Sequence, residues 1–159
     1  MVGGGCRGLE LTRGLVADGH AVRAVTRTPA RREKIEAAGA ECWIGTPDRI
    51  GTLRYALENV TVLLWLLGTA TGDPEGVAAL HGSRLKMMLE KTTDTTVRGV
   101  IYEAAGPVGP EALAAGAAEV RWAHETNEIP FRLLEADPRD HAAWVPAARA
   151  AIDLVLSDR

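Results

Sequence analysis

Apolar and polar positions along the chain follow two rhythms, and the switches between them mark out the elements. Residues 9–18 carry Leu11, Leu15 and Val16 at helical spacing, and Gly19 stands where such a helix stops. Residues 21–26 then alternate, with β-branched Val22, Val25 and Thr26, which predicts a strand. Thr28 and Pro29 make a turn. Residues 31–38 predict a short helix ended by Gly39, and residues 41–44 a strand closed by Gly45. A loop holding Pro47 and Asp48 leads to a helix predicted over 50–57, with Leu53, Ala56 and Leu57 on one face.

The stretch 60–67 is a nearly continuous apolar run, the signature of a strand covered on both faces in a parallel sheet. A loop of small residues over 68–76 follows. A helical pattern then runs over 77–91 with a break at Gly82, and a fifth strand is expected over 97–104. Residues 106–110 are rich in glycine and proline and form a loop. An alanine-rich helix over 111–127, hinged near Gly116, precedes a strand over 129–134 that has Pro130 at its start, where a missing N–H is tolerated. Asp137 and Pro138 mark a turn, and residues 144–156 close the chain as an amphipathic helix. Strand and helix in this alternation predict an α/β doubly wound parallel sheet with right-handed crossovers and six strands in the order 3-2-1-4-5-6.

Ahead of the first helix, Gly3, Gly5 and Gly8 form a G-x-G-x-x-G pattern that also encloses Cys6 and Arg7. Three glycines at these offsets mean little alone, but here a helix and then a strand follow at once, as a phosphate-gripping turn requires. The first glycine permits the tight strand-to-helix turn, the second a close backbone approach to a pyrophosphate, and the third close packing of helix on strand. The helix start contributes amides and a partial positive charge. The strand leading into such a turn usually has about five residues. Only Met1 and Val2 precede Gly3, so the first strand is predicted to be truncated.

Composition narrows the function classes. A chain of 159 residues with 47% apolar and 25% charged residues predicts one ordinary globular domain over 1–159. A net charge of −3 argues against a nucleic-acid surface, although Arg23, Arg27, Arg31, Arg32 and Lys34 form one basic cluster in sequence. The longest apolar run is far shorter than the roughly 20 residues that cross a bilayer. With two cysteines, Cys6 and Cys42, and no basic and apolar leader, a soluble protein of the reducing cytoplasm is expected.

The end of the second strand reports on the ligand. An NAD site places a carboxylate there for the ribose 2′-hydroxyl. This chain has Thr26 and Arg27 instead, and Arg27 with Arg31 or Arg32 offers charge-assisted, bidentate bonds to a 2′-phosphate. NADP is therefore expected in preference to NAD. Arg7 is a second candidate for phosphate contact.

The stretch from Val2 through the glycine turn to Arg27 resembles the N-terminal half of the extended and atypical short-chain dehydrogenase/reductases, the NAD-dependent epimerase/dehydratase and NmrA-like group, whose domain is a Rossmann fold. The likeness covers about the first 70 residues, and the rest follows in rhythm. The resemblance implies an Asp near the adenine, matched by Asp48, and backbone passing along the cofactor at Leu66, Leu67 and Gly68. It also implies pairing of two copies through exposed apolar helix faces.

The catalytic half of that pattern is missing. Family members that move hydride use a Tyr-x-x-x-Lys pair on the helix after the fifth strand, where the lysine tunes the tyrosine for proton transfer. Here that helix has Trp122 and His124 but neither Tyr nor Lys. Tyr102, Glu103 and His124 remain as candidate proton-transfer groups, with Thr69 or Thr71 to orient a small substrate. The four histidines lack metal-site spacing, so no metal is expected. Three readings stay open: an NADP-binding sensor or regulator of the NmrA-like kind without the standard catalysis, an NADP-dependent oxidoreductase or epimerase with non-standard acid/base residues, or a domain that folds but binds dinucleotides poorly because its first strand is short. The missing pair and the small region after the sixth strand favour the first, while the loops over 68–76 and 106–110 leave room for a small ligand.

Overall fold

The computed structural model describes residues 1–158. Six parallel strands form one sheet: β1 (Val2–Gly3), β2 (Arg23–Thr26), β3 (Glu41–Ile44), β4 (Val62–Leu66), β5 (Gly99–Glu103) and β6 (Phe131–Leu134). Their spatial order is β3-β2-β1-β4-β5-β6, so the winding reverses between β1 and β4. The helices are α1 (Gly5–Ala17), α2 (Arg32–Ala37), α3 (Pro74–His81), α4 (Ser83–Thr92), α5 (Pro110–Asn127) and α6 (His141–Ser157). Architecture and strand order are those the alternation predicts, and β1 is two residues long.

The pleat of the central strands sorts their side chains into two layers. Leu63, Trp65, Val100 and Tyr102 point to one face, where Leu85, Met88, Leu89 and Val120 from α4 and α5 cover them. Leu64, Leu66 and Ile101 point to the other, against Leu11 and Leu15 of α1 and Trp144, Ala148 and Ile152 of α6. Burial on both faces is why β4 reads as an unbroken apolar run.

Several elements differ from the sequence reading. The helix expected over 50–57 is two short 3-10 turns, Ile50–Thr52 and Tyr55–Leu57. Thr52 draws the backbone sideways: its hydroxyl donates to Arg49 O at 2.7 Å and accepts from Thr46 N at 2.9 Å, while its carbonyl accepts from Trp43 Nε1 at 2.8 Å. Leu53 and Leu57 are nevertheless buried as the pattern requires. The break at Gly82 is present, but α3 begins at Pro74 because the Asp73 carboxylate caps it, accepting from Gly76 N. The last helix starts at His141 because Asp140 caps it in the same manner. Gly116 is no hinge. α5 runs through it unbroken, and a Cβ there would overlap the hydroxyl end of Tyr102 beneath it.

Candidate functional site

The glycine turn joins β1 to α1 where the winding of the sheet reverses, the position at which open α/β sheets bind ligands. Gly3, Gly4 and Gly5 have φ of 78°, 99° and 52°, a left-handed run that a side-chain-bearing residue rarely adopts. The turn is held against β4 by Gly4 N donating to Leu66 O at 2.9 Å. A Cβ on Gly3 would strike that same carbonyl, so the two strand exits touch through bare backbone. No side chain caps α1, which leaves its first-turn amides facing outward as a ready anion site.

Beside the turn lies a groove of about 310 Å³ at the C-terminal ends of β1, β2 and β3. Gly3, Thr26, Arg27, Arg31, Asp48 and Leu67 line it, together with the hydroxyls of Thr69 and Thr71. Residues distant in sequence thus converge on one groove. Thr26 shapes the exit of β2, its hydroxyl accepting from Thr28 N at 3.3 Å and donating to Thr28 O at 3.1 Å. Among the described residues, neither Arg27 nor Arg31 is paired with a carboxylate, whereas Arg32 faces away and meets Glu36. The basic cluster of the sequence is not one patch. Arg23 starts β2 and so lies at the opposite edge of the sheet, where it pairs with Glu41 at 2.9 Å. Gly5, Cys6 and Gly8 sit in the turn and first turn of α1, with Cys6 exposed, and Leu66 and Gly68 lie behind the turn.

Arg7 is placed otherwise. Its guanidinium turns into the protein and forms a bidentate pair with Glu103 at the end of β5, Nε to Oε1 at 2.9 Å and Nη2 to Oε2 at 2.7 Å. Glu103 also accepts from Trp144 Nε1 at 2.8 Å and Gly68 N at 2.7 Å, so both carboxylate oxygens are fully engaged. Arg7 adds contacts to Leu66 O and Thr69 Oγ1, each at 3.3 Å, and stacks over the Trp144 ring. Both charged groups are buried. The pair clamps α1, β4, β5 and α6 together directly behind the turn, and nothing local in the sequence signals a partner 96 positions away.

Tyr102 points to the other face and is also fully buried. Its hydroxyl lies 2.6 Å from His81 Nδ1, and His81 Nε2 lies 3.0 Å from Leu67 O. A carbonyl only accepts, so Nε2 carries the proton and Nδ1 accepts from the tyrosine. Burial lowers the His81 pKa, outweighing the Leu67 carbonyl and the charge of Glu103, which pull upward. Burial, then the charge of Glu103, raises that of Tyr102. His124 lies near the end of α5, which returns to the N-terminal edge of the sheet; it contacts Ile129 O at 3.2 Å and the Phe131 ring. Tyr102, Glu103 and His124 therefore do not open on the groove: two are packed inside and one is at the far edge. His81 and Trp144 were missed by sequence reasoning, since each is an isolated polar-tipped residue on an apolar helix face.

Among the described residues there is no metal-holding cluster, and no helix is long and apolar enough to cross a membrane. A family model described as NAD(P)H-binding matches residues 3–148. No curated protein matches the chain. Similar solved structures include a short-chain dehydrogenase/reductase superfamily protein from Agrobacterium tumefaciens with bound NAD, 18% identical with a TM-score of 0.69, covering 99% of this chain and 61% of that one. The UDP-glucuronic acid 4-epimerase of Bacillus cereus in complex with NAD is 14% identical with a TM-score of 0.67, covering 84% and 54%. The triphenylmethane reductase of Citrobacter sp. complexed with NADP(H) is 19% identical with a TM-score of 0.61, covering 84% and 47%. The chain thus spans about half the length of such structures, and at these identities the likeness is one of fold.

Proposed function

The chain belongs to the NAD(P)H-binding family, and on that premise we propose that it holds NADP(H) in preference to NAD(H) and lacks the tyrosine–lysine catalysis of short-chain dehydrogenases. The carrying observation is the groove in which Arg27 and Arg31, free of carboxylate partners among the described residues, stand beside the glycine turn. In this reading the amides of the turn and of the start of α1 receive the pyrophosphate, and the two arginines receive the 2′-phosphate. Asp48 lies by the adenine, and the backbone of Leu66 to Gly68 borders the rest of the cofactor. The fit rests on the left-handed turn and the uncapped helix start, a cradle that side chains would fill. The cofactor, when bound, supplies hydride chemistry. The chain's own residues bind and orient it, with the Thr69 and Thr71 hydroxyls at the rim. A reducing, cytoplasmic setting suits the two free thiols.

Titration of the protein with NADPH and NADH tests this reading. Charge-assisted bonds of about 1.5–3 kcal/mol predict NADPH bound at least roughly tenfold more tightly, and Arg27→Ala is expected to erase most of that preference while leaving NADH affinity unchanged. Equal affinity for the two cofactors in the parent protein defeats the cofactor assignment. Hydride exchange with a panel of carbonyl compounds defeats the non-catalytic part.

A further inference from the structure

The first turn of α1 and the exits of β4 and β5 meet in one short hydrogen-bonded chain at the edge of the groove. Glu103 Oε2 accepts from Arg7 Nη2 and from Gly68 N, both at 2.7 Å. A single carboxylate oxygen thus fixes the guanidinium and the backbone just before Thr69 relative to each other. Gly68 has no room to shift, since a Cβ there would strike the Ala105 carbonyl. On the other side of Thr69, Ala70 N donates to Leu67 O at 3.1 Å. The Thr69 hydroxyl is held in this way 3.3 Å from Arg7 Nη1. Nη1 is also next to the glycine turn, where a Cβ on Gly5 would stand 3.8 Å from it.

The direction of the bond to Thr69 follows from its chemistry. A guanidinium only donates, so the threonine oxygen accepts and keeps its own proton to give elsewhere. Among the described residues nothing accepts that proton, and Thr69 lines the groove. A cation bonded to the oxygen polarises the hydroxyl and makes it a stronger donor. The charge itself is matched by Glu103. What the chain of bonds offers to the groove is therefore a polarised, neutral O–H.

Resting on the dinucleotide assignment, we propose that Thr69 is a side-chain donor to the pyrophosphate, with Arg7 and Glu103 as its positioning residues. The spacings of 3.8 Å and 3.3 Å about Nη1 put the uncapped start of α1 and the Thr69 hydroxyl within reach of one phosphate group. The amides hold that group from the side of the turn, and Thr69 holds it from the exit of β4. Arg7 serves the phosphate without touching it, its charge relayed through the hydroxyl.

Thr69→Val keeps the shape of the side chain and removes the donor. It is expected to weaken NADPH and NADH alike by about tenfold, the worth of one hydrogen bond to a charged group, with Thr69→Ser close to the parent. Adenosine 2′-phosphate, which has no pyrophosphate, is the control ligand. Its affinity is expected to be the same for Thr69→Val and the parent, a separation that general damage to the fold does not produce. Arg7→Lys keeps a positive charge but cannot hold Glu103 and Thr69 together. In that background the further loss from Thr69→Val is expected to shrink to about twofold or less. Unchanged dinucleotide affinity in Thr69→Val, an equal loss for adenosine 2′-phosphate, no recovery with serine, or full additivity of Arg7→Lys and Thr69→Val overturns the proposal. Equal affinity of the parent for NADPH and NADH defeats the 2′-phosphate assignment alone and leaves this test intact, because both cofactors carry the pyrophosphate.

Discussion

Tyr102 and Glu103 are neighbours in sequence at the end of one strand, yet they anchor two buried polar networks of opposite kind. Glu103, on the face of α1 and α6, holds a charged pair with Arg7 and two further donors. Tyr102, on the face of α3 to α5, shares one proton-ordered bond with neutral His81. The first network crosses four elements at the back of the glycine turn, whereas the second ties α3 to β5 and to the exit of β4 through Leu67 O. A charge taken into the core must be matched by charge and donors, and a hydroxyl needs only one partner. The two networks should therefore fail very differently.

The largest effect is expected from Glu103→Ala, which leaves the Arg7 guanidinium buried beside the Leu66 carbonyl and Thr69 with no counter-charge. A loss of about 3–5 kcal/mol should appear in urea unfolding, together with weakened NAD(P)H binding because the turn loses its backing. Arg7→Lys should recover little of a corresponding Arg7→Ala loss, since an ammonium cannot make the bidentate contact. Next comes Gly116→Ala, which presses a methyl group into the Tyr102 ring and should cost about 1–3 kcal/mol while leaving cofactor affinity alone. Tyr102→Phe strands the His81 Nδ1 acceptor and should cost about 1–2 kcal/mol by the same measurement. Should Tyr102→Phe cost as much as Glu103→Ala, the contrast between the networks collapses. The smallest effect is in pH. The unfolded His81 binds its proton near 6.5 and the folded one only at lower pH, so its contribution is complete above about 6.5 and is lost with acidification. His81→Asn should flatten the fall of Tm below that pH relative to the parent.

The fold was legible because its signals are local: the apolar run of β4 and the stops at Gly19 and Gly39 each act within a few residues. So was the groove, since Gly3, Thr26 and Arg27 belong to one strand-turn-helix-strand unit. What lay hidden depends on long-range partners. Arg7 reads as a phosphate ligand by its place in the turn, and only the arrival of Glu103 and Trp144 turns it inward. Gly116 reads as a hinge until Tyr102 is found beneath it. The helix expected over 50–57 kept its buried face but lost its backbone ladder to Thr52, a competition that apolar periodicity does not record. His124 satisfied a count along the helix but not the direction in which α5 runs.

The brevity of β1 has a dynamic consequence. β2 pairs with β3 at four positions, as do β4 with β5 and β5 with β6, but within its own two residues β1 pairs with β2 at Val2 and with β4 at Val2 and Gly3. The sheet is two leaves joined through β1, and sub-global opening is expected first where strand pairs are fewest. The groove straddles β1, with Arg27 and Asp48 on one leaf and Leu67 and Thr69 on the other. A dinucleotide lying across both leaves is then also a brace against their parting, and it should slow amide exchange far from any atom it touches.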